Sequence, residues 1–424
     1  MGTTRRGKGG NVKPQELTQE AKKSNAKHQY ADPGNHAADH YKPHMSYVRF
    51  KIREFLVPFV VEETPVLFRF QQFCRTKFLD EYFIHTANLG SHTFYVLCLP
   101  MSRWLCFSKT ARDLVFLLGY SIYASGYVKD FCCLPRPRSP PLQRITHSPY
   151  TTKEYGAPSS HTANATAVTL FMIYYIFYEV KGEMTWTQSI GAMLLLFLYY
   201  ATLTVGRVYS GMHGLFDIES GIVIGAAVFV VRLWVRDYME TLLLHWWYPV
   251  CNIALGLFLL FAHVNPVDEC PCFKDSVAFV GVVGGLEFAD WLYPYVFQTA
   301  NYELNFPDAN SGLTHLSVWT RLLIRVFIGV ACVVLWKEGI AAMLASKLGL
   351  GGTVNVEKTE NRENKINKQN SIKKTTEVQK HDLEIPLHRG VSASYIIWKY
   401  FVYAMISFVS VIVAPMVFKL CGVY

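Results

Sequence analysis

The chain runs again and again through apolar stretches close to the length of a hydrocarbon bilayer, and that recurrence leaves few folds open. The stretches fall near residues 85–107, 112–128, 163–180, 187–205, 218–236, 241–262, 276–298, 319–343 and 396–421, the first being the weakest. About 20 apolar residues wound as a helix cover the ~30 Å of a bilayer core. Backbone N–H and C=O groups inside that core find no water, so segments of this kind must be helical. The expected fold is therefore an all-α polytopic membrane protein, a helical bundle of about nine transmembrane spans. Composition agrees: 51% of the residues are hydrophobic and only 17% charged, and the mean hydropathy is +0.16 despite two long polar segments.

Those polar segments set the organisation. Residues 1–84 read as a polar, basic N-terminal tail and pre-membrane segment, with Arg5, Arg6, Lys8, Lys13, Lys22, Lys23, Lys27 and Lys42 early in it. Residues 85–343 read as the membrane core, 344–395 as a disordered polar loop rich in Lys, Asn, Glu and Thr, and 396–424 as a C-terminal span. Basic segments can lie against anionic lipid headgroups or act as plain solubilising linkers. No early apolar stretch suggests a cleavable signal peptide. The ten cysteines are scattered. Neither Cys132-Cys133 nor Cys270-Pro271-Cys272 shows zinc-ligand spacing with partner histidines, so packing is expected, with oxidation of Cys270 or Cys272 open in a non-cytosolic loop. No Gly-rich nucleotide loop or metal-binding His-Glu pattern occurs, and neither a cofactor, a metal nor a nucleic-acid partner is expected.

Three short segments at the ends of apolar stretches carry chemistry. The first is Lys129 followed by Arg136-Pro137, where prolines at 135, 137, 140 and 141 end the helix and stiffen the chain, so that the Arg136 fork can meet two phosphate oxygens. The second is Pro158-Ser159-Ser160-His161, a helix-start pattern that places His161 in a first turn where backbone N–H groups favour an anion. The third holds Arg207, His213 and Asp217. Spacing of four puts His213 and Asp217 on one helical face, with the carboxylate fixing the imidazole tautomer and leaving the other ring nitrogen a free lone pair. Alone, the first two segments also read as a positively flanked span and a capped helix. Together the three supply cations, hydroxyls, two imidazoles and a carboxylate, the set needed to hold a phosphomonoester, attack phosphorus and protonate a leaving alkoxide. The chemistry implied is phosphate transfer through a phosphohistidine, at a site built on span ends.

These residues resemble the type 2 phosphatidic acid phosphatase superfamily, whose motifs run Lys, six residues, Arg-Pro; then Pro-Ser-Gly-His; then Ser-Arg, five residues, His, three residues, Asp. Two positions depart: Ser160 stands for the family's Gly and Gly206 for its Ser. Closer still, Gly90-Ser91-His92-Thr93-Phe94-Tyr95, Lys153 through Thr166 and Tyr209 through Gly214 are similar to the fungal dihydrosphingosine-1-phosphate phosphatases. The resemblance implies His213 as nucleophile, His161 as general acid and base, Asp217 as the group orienting His213, and Lys129, Arg136, Ser159, Ser160 and Arg207 as phosphate ligands. It also implies a metal-independent enzyme of sphingolipid metabolism in the endoplasmic reticulum membrane.

A site at span ends suits a lipid phosphate substrate, whose chain stays in hydrocarbon among membrane lipids while aromatics such as Tyr199, Tyr200, Tyr209 and Phe216 line its way in. A broad lipid or sugar phosphate phosphatase, and a lipid-binding protein without turnover, are the other readings; the second must explain why His161, His213 and Asp217 are all present. An even number of spans separates the three segments from the amino terminus, so all lie on one face. Flanking charges nearly cancel across the membrane, and the resemblance selects the lumenal face.

Overall fold

The computed structural model describes residues 32–146, 148, 151–307, 316–348 and 390–424. Most of the basic tail and of the polar loop thus lies outside the described residues. Within them the fold is all-helical, with no strand. Among the described residues, four helices of ten or more residues precede the core: α1 (Tyr47–Glu62), α2 (Thr64–Cys74), α3 (Lys77–Thr86) and α4 (His92–Trp104). The core follows as α5 (Ser108–Cys132), α6 (Ser160–Tyr174), α7 (Trp186–Tyr209), α8 (Leu215–Leu242), α9 (Tyr248–Phe261) and α10 (Cys272–Phe297). Two further helices, α11 (Val318–Lys347) and α12 (Ala393–Leu420), close it.

The apolar stretches read from the sequence fall on helices, and five helices, α7, α8, α10, α11 and α12, are long and apolar enough to cross a membrane. The chain is a multi-pass membrane protein. The stretch at 85–107 is broken: a short turn of helix over Ala87–Gly90 ends before α4, which is only 13 residues long and contains Pro100. The 25-residue α5 falls short in hydropathy for a different reason. It is enclosed by other helices and carries Arg112, Asp113, Lys129 and Asp130, all buried in protein.

Small residues let the central helices approach. Gly221 and Gly225 of α8, four apart, sit against the backbone of Ser159 and Ala163 of α6, and Gly281 and Gly285 of α10 sit against Tyr400 and Ala404 of α12. A Cβ at any of these would strike main chain, which is how membrane helices pack where apolar area alone gives no preference for protein over lipid. The alternating direction of α5 to α8 then carries the C-terminal turns of α5 and α7 and the N-terminal turns of α6 and α8 to one end of the bundle.

Candidate active site

Local signals place each segment at that end. Helix α5 stops where Cys133 turns left-handed, φ 49°, and Pro135 and Pro137 prevent it from resuming. Lys129 therefore stands in the last turn and Arg136 in the extended stretch beyond. Ser159 caps α6: its Oγ accepts from the N–H of Thr162 at 3.4 Å and its own N–H donates to the Asp217 carbonyl at 2.8 Å. His161 follows in the first turn, as its sequence context required. The Ser159 hydroxyl is thus occupied by capping, whereas Ser160 and His161 line a cavity of about 440 Å³ together with Asn164, Arg207, Glu154 and Asp275.

The pairing of His213 with Asp217 forms, but not on a helical face. Helix α8 begins only at Leu215, and His213 lies in the extended approach to it, with Gly214 at φ −88° and ψ 179°. Asp217 in the first turn folds back, its Oδ2 accepting from Gly214 N–H at 3.0 Å and lying 3.2 Å from His213 Nδ1. That contact fixes Nδ1 as the donor, so Nε2 presents its lone pair, 3.3 Å from Nη1 of Arg136. His213 is buried, and burial first, then the charges of Arg136, Lys129, Arg207 and His161, push its pKa well below the ordinary imidazole range. The ring is neutral, the form that can attack.

The cations are arranged around it. Arg136 is held by the carbonyls of Glu154 (Nε, 2.9 Å), Met212 (Nη1, 2.5 Å) and Thr151 (Nη2, 2.8 Å). Lys129 Nζ reaches Glu154 Oε2 at 2.5 Å. Arg207 is buried in the last turn of α7, and its Nε has no hydrogen-bond partner among the described residues. Buried donors without partners are rare and costly, and an anion in the adjoining cavity would satisfy this one. The two departures from the motif pattern have local explanations: the Phe83 ring fills the space a side chain on Gly206 would take, and Ser160 opens onto the cavity. Tyr209, expected near the lipid's way in, is buried instead, its hydroxyl donating to Asp80 Oδ1 at 2.7 Å and tying α7 to α3.

Several positioning residues escaped the sequence reading. The Glu63 carboxylate, at the junction of α1 and α2, accepts from the N–H groups of Leu215 (2.6 Å) and Phe216 (2.7 Å) and so caps α8 from 152 residues away. Its partial burial raises its pKa against the pull of those two N–H groups. Arg49 of α1 binds the carbonyls of Asp130 (2.5 Å) and Phe131 (2.6 Å), and Arg53 binds that of Cys133 (3.2 Å), clamping the end of α5 that carries Lys129. Glu154 was likewise passed over, since a lone acidic residue in a polar loop carries no spacing signal.

Buried cations converging on a neutral, carboxylate-oriented histidine define a phosphate-handling membrane protein, and comparison with known proteins specifies the class. Residues 110–240 match the PAP2 superfamily. The chain is 46% identical over 320 residues to dihydrosphingosine 1-phosphate phosphatase YSR3 of Saccharomyces cerevisiae, covering 75% of this chain and 76% of that protein. It is 32% identical to a dihydrosphingosine 1-phosphate phosphatase of Schizosaccharomyces pombe, over 69% of each chain. To sphingosine-1-phosphate phosphatase 2 of Homo sapiens it is 26% identical over half of each chain, 50% and 51%. No solved structure matches it. The chain belongs to the PAP2 superfamily of membrane phosphatases and is a phosphoric monoester hydrolase.

Proposed function

We propose that the protein hydrolyses sphingoid long-chain base 1-phosphates, among them dihydrosphingosine, phytosphingosine and sphingosine 1-phosphate, to the free base and phosphate. The observation that carries this reading is His213 held between Asp217 Oδ2 (3.2 Å) and Arg136 Nη1 (3.3 Å), with a lone pair on Nε2. In the reaction His213 Nε2 attacks phosphorus while Lys129, Arg136 and Arg207 hold the non-bridging oxygens and Ser159 and Ser160 close the α6 end of the phosphate site. Asp217 stabilises the imidazolium that forms. His161 protonates the departing alkoxide, then takes a proton from the water that cleaves the phosphohistidine. Incoming phosphate takes the place of the Glu154 carboxylate on Lys129, and no metal enters a step. The apolar chain stays in the bilayer as the headgroup enters the cavity.

The names of the relatives supply the substrate class. A panel of lipid phosphates and glucose 6-phosphate, assayed on protein purified in detergent with a chelator present, tests it. Sphingoid base phosphates should give kcat/KM at least about tenfold above phosphatidic acid, a discrimination of ~1.4 kcal/mol. Equal values would make the protein a broad lipid phosphate phosphatase, and no turnover on any of them a lipid-binding protein.

The same reading places about nine spans in the endoplasmic reticulum membrane, with the divisions 1–84, 85–343, 344–395 and 396–424 and a lumenal site. Residue 148 lines the cavity, so Ser148→Cys in a background of replaced native cysteines reports the face. In sealed, right-side-out microsomes it should resist an impermeant thiol reagent until detergent is added; labelling beforehand would put the site in the cytosol.

A further inference from the structure

Next to Lys129 lies a second group of ionisable side chains that the phosphatase chemistry does not use. Asp130, next to Lys129 in the last turn of α5, meets Cys270 and Cys272 at the start of α10. Their ligand atoms all lie within 4.8 Å of one another, and all three residues are buried. Neither oxygen of the Asp130 carboxylate receives a hydrogen bond from an N–H or O–H among the described residues, although the Cys270 thiol is within reach. A buried carboxylate without such donors is costly. The other trio of this kind contrasts with it: Asp268, beside His36 and His40, is filled by Gly34 N–H (2.9 Å), Tyr41 hydroxyl (2.8 Å) and His40 Nε2 (2.8 Å).

The sulfurs of Cys270 and Cys272 are in contact with each other, and both cysteines are free. They would spread to roughly 3.7 Å on a tetrahedral metal at ~2.3 Å from each, or close into a bond. Closure would leave Asp130 as bare as before. A cation satisfies the carboxylate and both sulfurs together. His263 stands beside the trio without belonging to it, its Nδ1 4.0 Å from Asp130 Oδ2. Nδ1 donates to the Val264 carbonyl at 2.9 Å, leaving Nε2 as the lone-pair nitrogen, buried and without a partner among the described residues.

We propose that Asp130, Cys270 and Cys272 form a zinc site, its fourth position completed by water. Two thiolates and a carboxylate suit zinc over harder cations. Loading releases the two thiol protons to solvent and bonds Asp130 as the carboxylate. The ion would pin the C-terminal turn of α5, and with it Lys129, to the first turn of α10, whose Cys272 lines the cavity. Its role is to hold that turn in place, and the chemistry at His213 does not pass through it.

The full-length protein, purified in detergent with reductant and no chelator, should contain about one zinc per chain by mass spectrometry. Its zinc X-ray absorption should show two sulfurs at ~2.3 Å. Asp130→Asn and Cys272→Ser should each lower zinc content about tenfold, while His213→Ala leaves it unchanged. Folded wild-type protein without zinc, its Cys270 and Cys272 either both alkylated after unfolding or recovered as a disulfide-linked peptide, would overturn the site. That measurement on wild type decides the matter even if the variants fail to fold.

Discussion

Helix α5 carries a buried charged cluster at each end, and the two are built to opposite rules. At its N-terminal end Arg112 binds Glu287 (2.7 Å) and Arg103 binds Asp290 (2.7 Å). Asp113 is shared by Arg232 (2.8 Å) and Arg236 (3.1 Å), and Arg236 also pairs with Glu179. Four arginines face four carboxylates. At the other end Lys129 and Arg136 share Glu154, Asp217 is committed to His213 and Gly214, and Arg207 keeps an Nε without a partner among the described residues. The matched cluster is a tie between helices, its charges cancelled in place. The unmatched one keeps cationic donors beside a cavity, at a cost in stability that a bound dianion removes.

The comparison breaks most sharply at the nucleophile. Alanine at His213 should abolish phosphoenzyme labelling and turnover together, lowering kcat by about 10⁴-fold or more, with little change in unfolding temperature. Asparagine at His161 should leave a phosphoenzyme that forms slowly and persists. Retained activity in the His213 variant would dismiss the mechanism.

Methionine at one arginine of each cluster should separate their roles. Arg112→Met strands Glu287 in the bundle and should cost about 3–5 kcal/mol of stability, most of it recovered in the Arg112→Met, Glu287→Met double variant. Arg207→Met should instead lower kcat/KM by roughly 10²-fold with stability held or raised, because it removes a buried guanidinium whose Nε has no partner. Thermal unfolding in detergent read beside kinetics decides it; equal destabilisation by both would erase the distinction.

The smallest effect is in pH. His213 has its folded-state pKa depressed well below its unfolded value near 6.5. Above pH 6.5 it is neutral in both states and adds nothing. As pH falls below 6.5 the unfolded chain takes up at this residue a proton that the folded one refuses, so its contribution drops, by at most ~1.4 kcal/mol per pH unit, while Asp217, raised by burial to about 7, pulls the other way in both proteins compared. His213→Gln should therefore lose less stability than wild type between pH 6.5 and 5. Identical acid sensitivity would mean that the folded protein accepts the proton at His213.

By itself the sequence determined what depends on spacing along the chain. Apolar run length set the helices, a Pro-Ser-Ser start placed His161 in a first turn, and a spacing of four from His213 to Asp217 sufficed for their contact, even though a loop and not a helical face delivers it. Partners far apart in the chain were decided by the tertiary structure alone. Glu63 capping α8, Arg49 clamping the end of α5, and Asp130 meeting Cys270 and Cys272 across 140 residues leave no periodic trace, because nothing local requires them. The physical reason is the close approach of helices at glycines such as Gly221 and Gly225, which carries single side chains into contact and leaves no room for water to satisfy them. The same Lys129 thus reads, in sequence, as the flank of a span, and becomes part of a phosphate site only when three other helix ends arrive beside it.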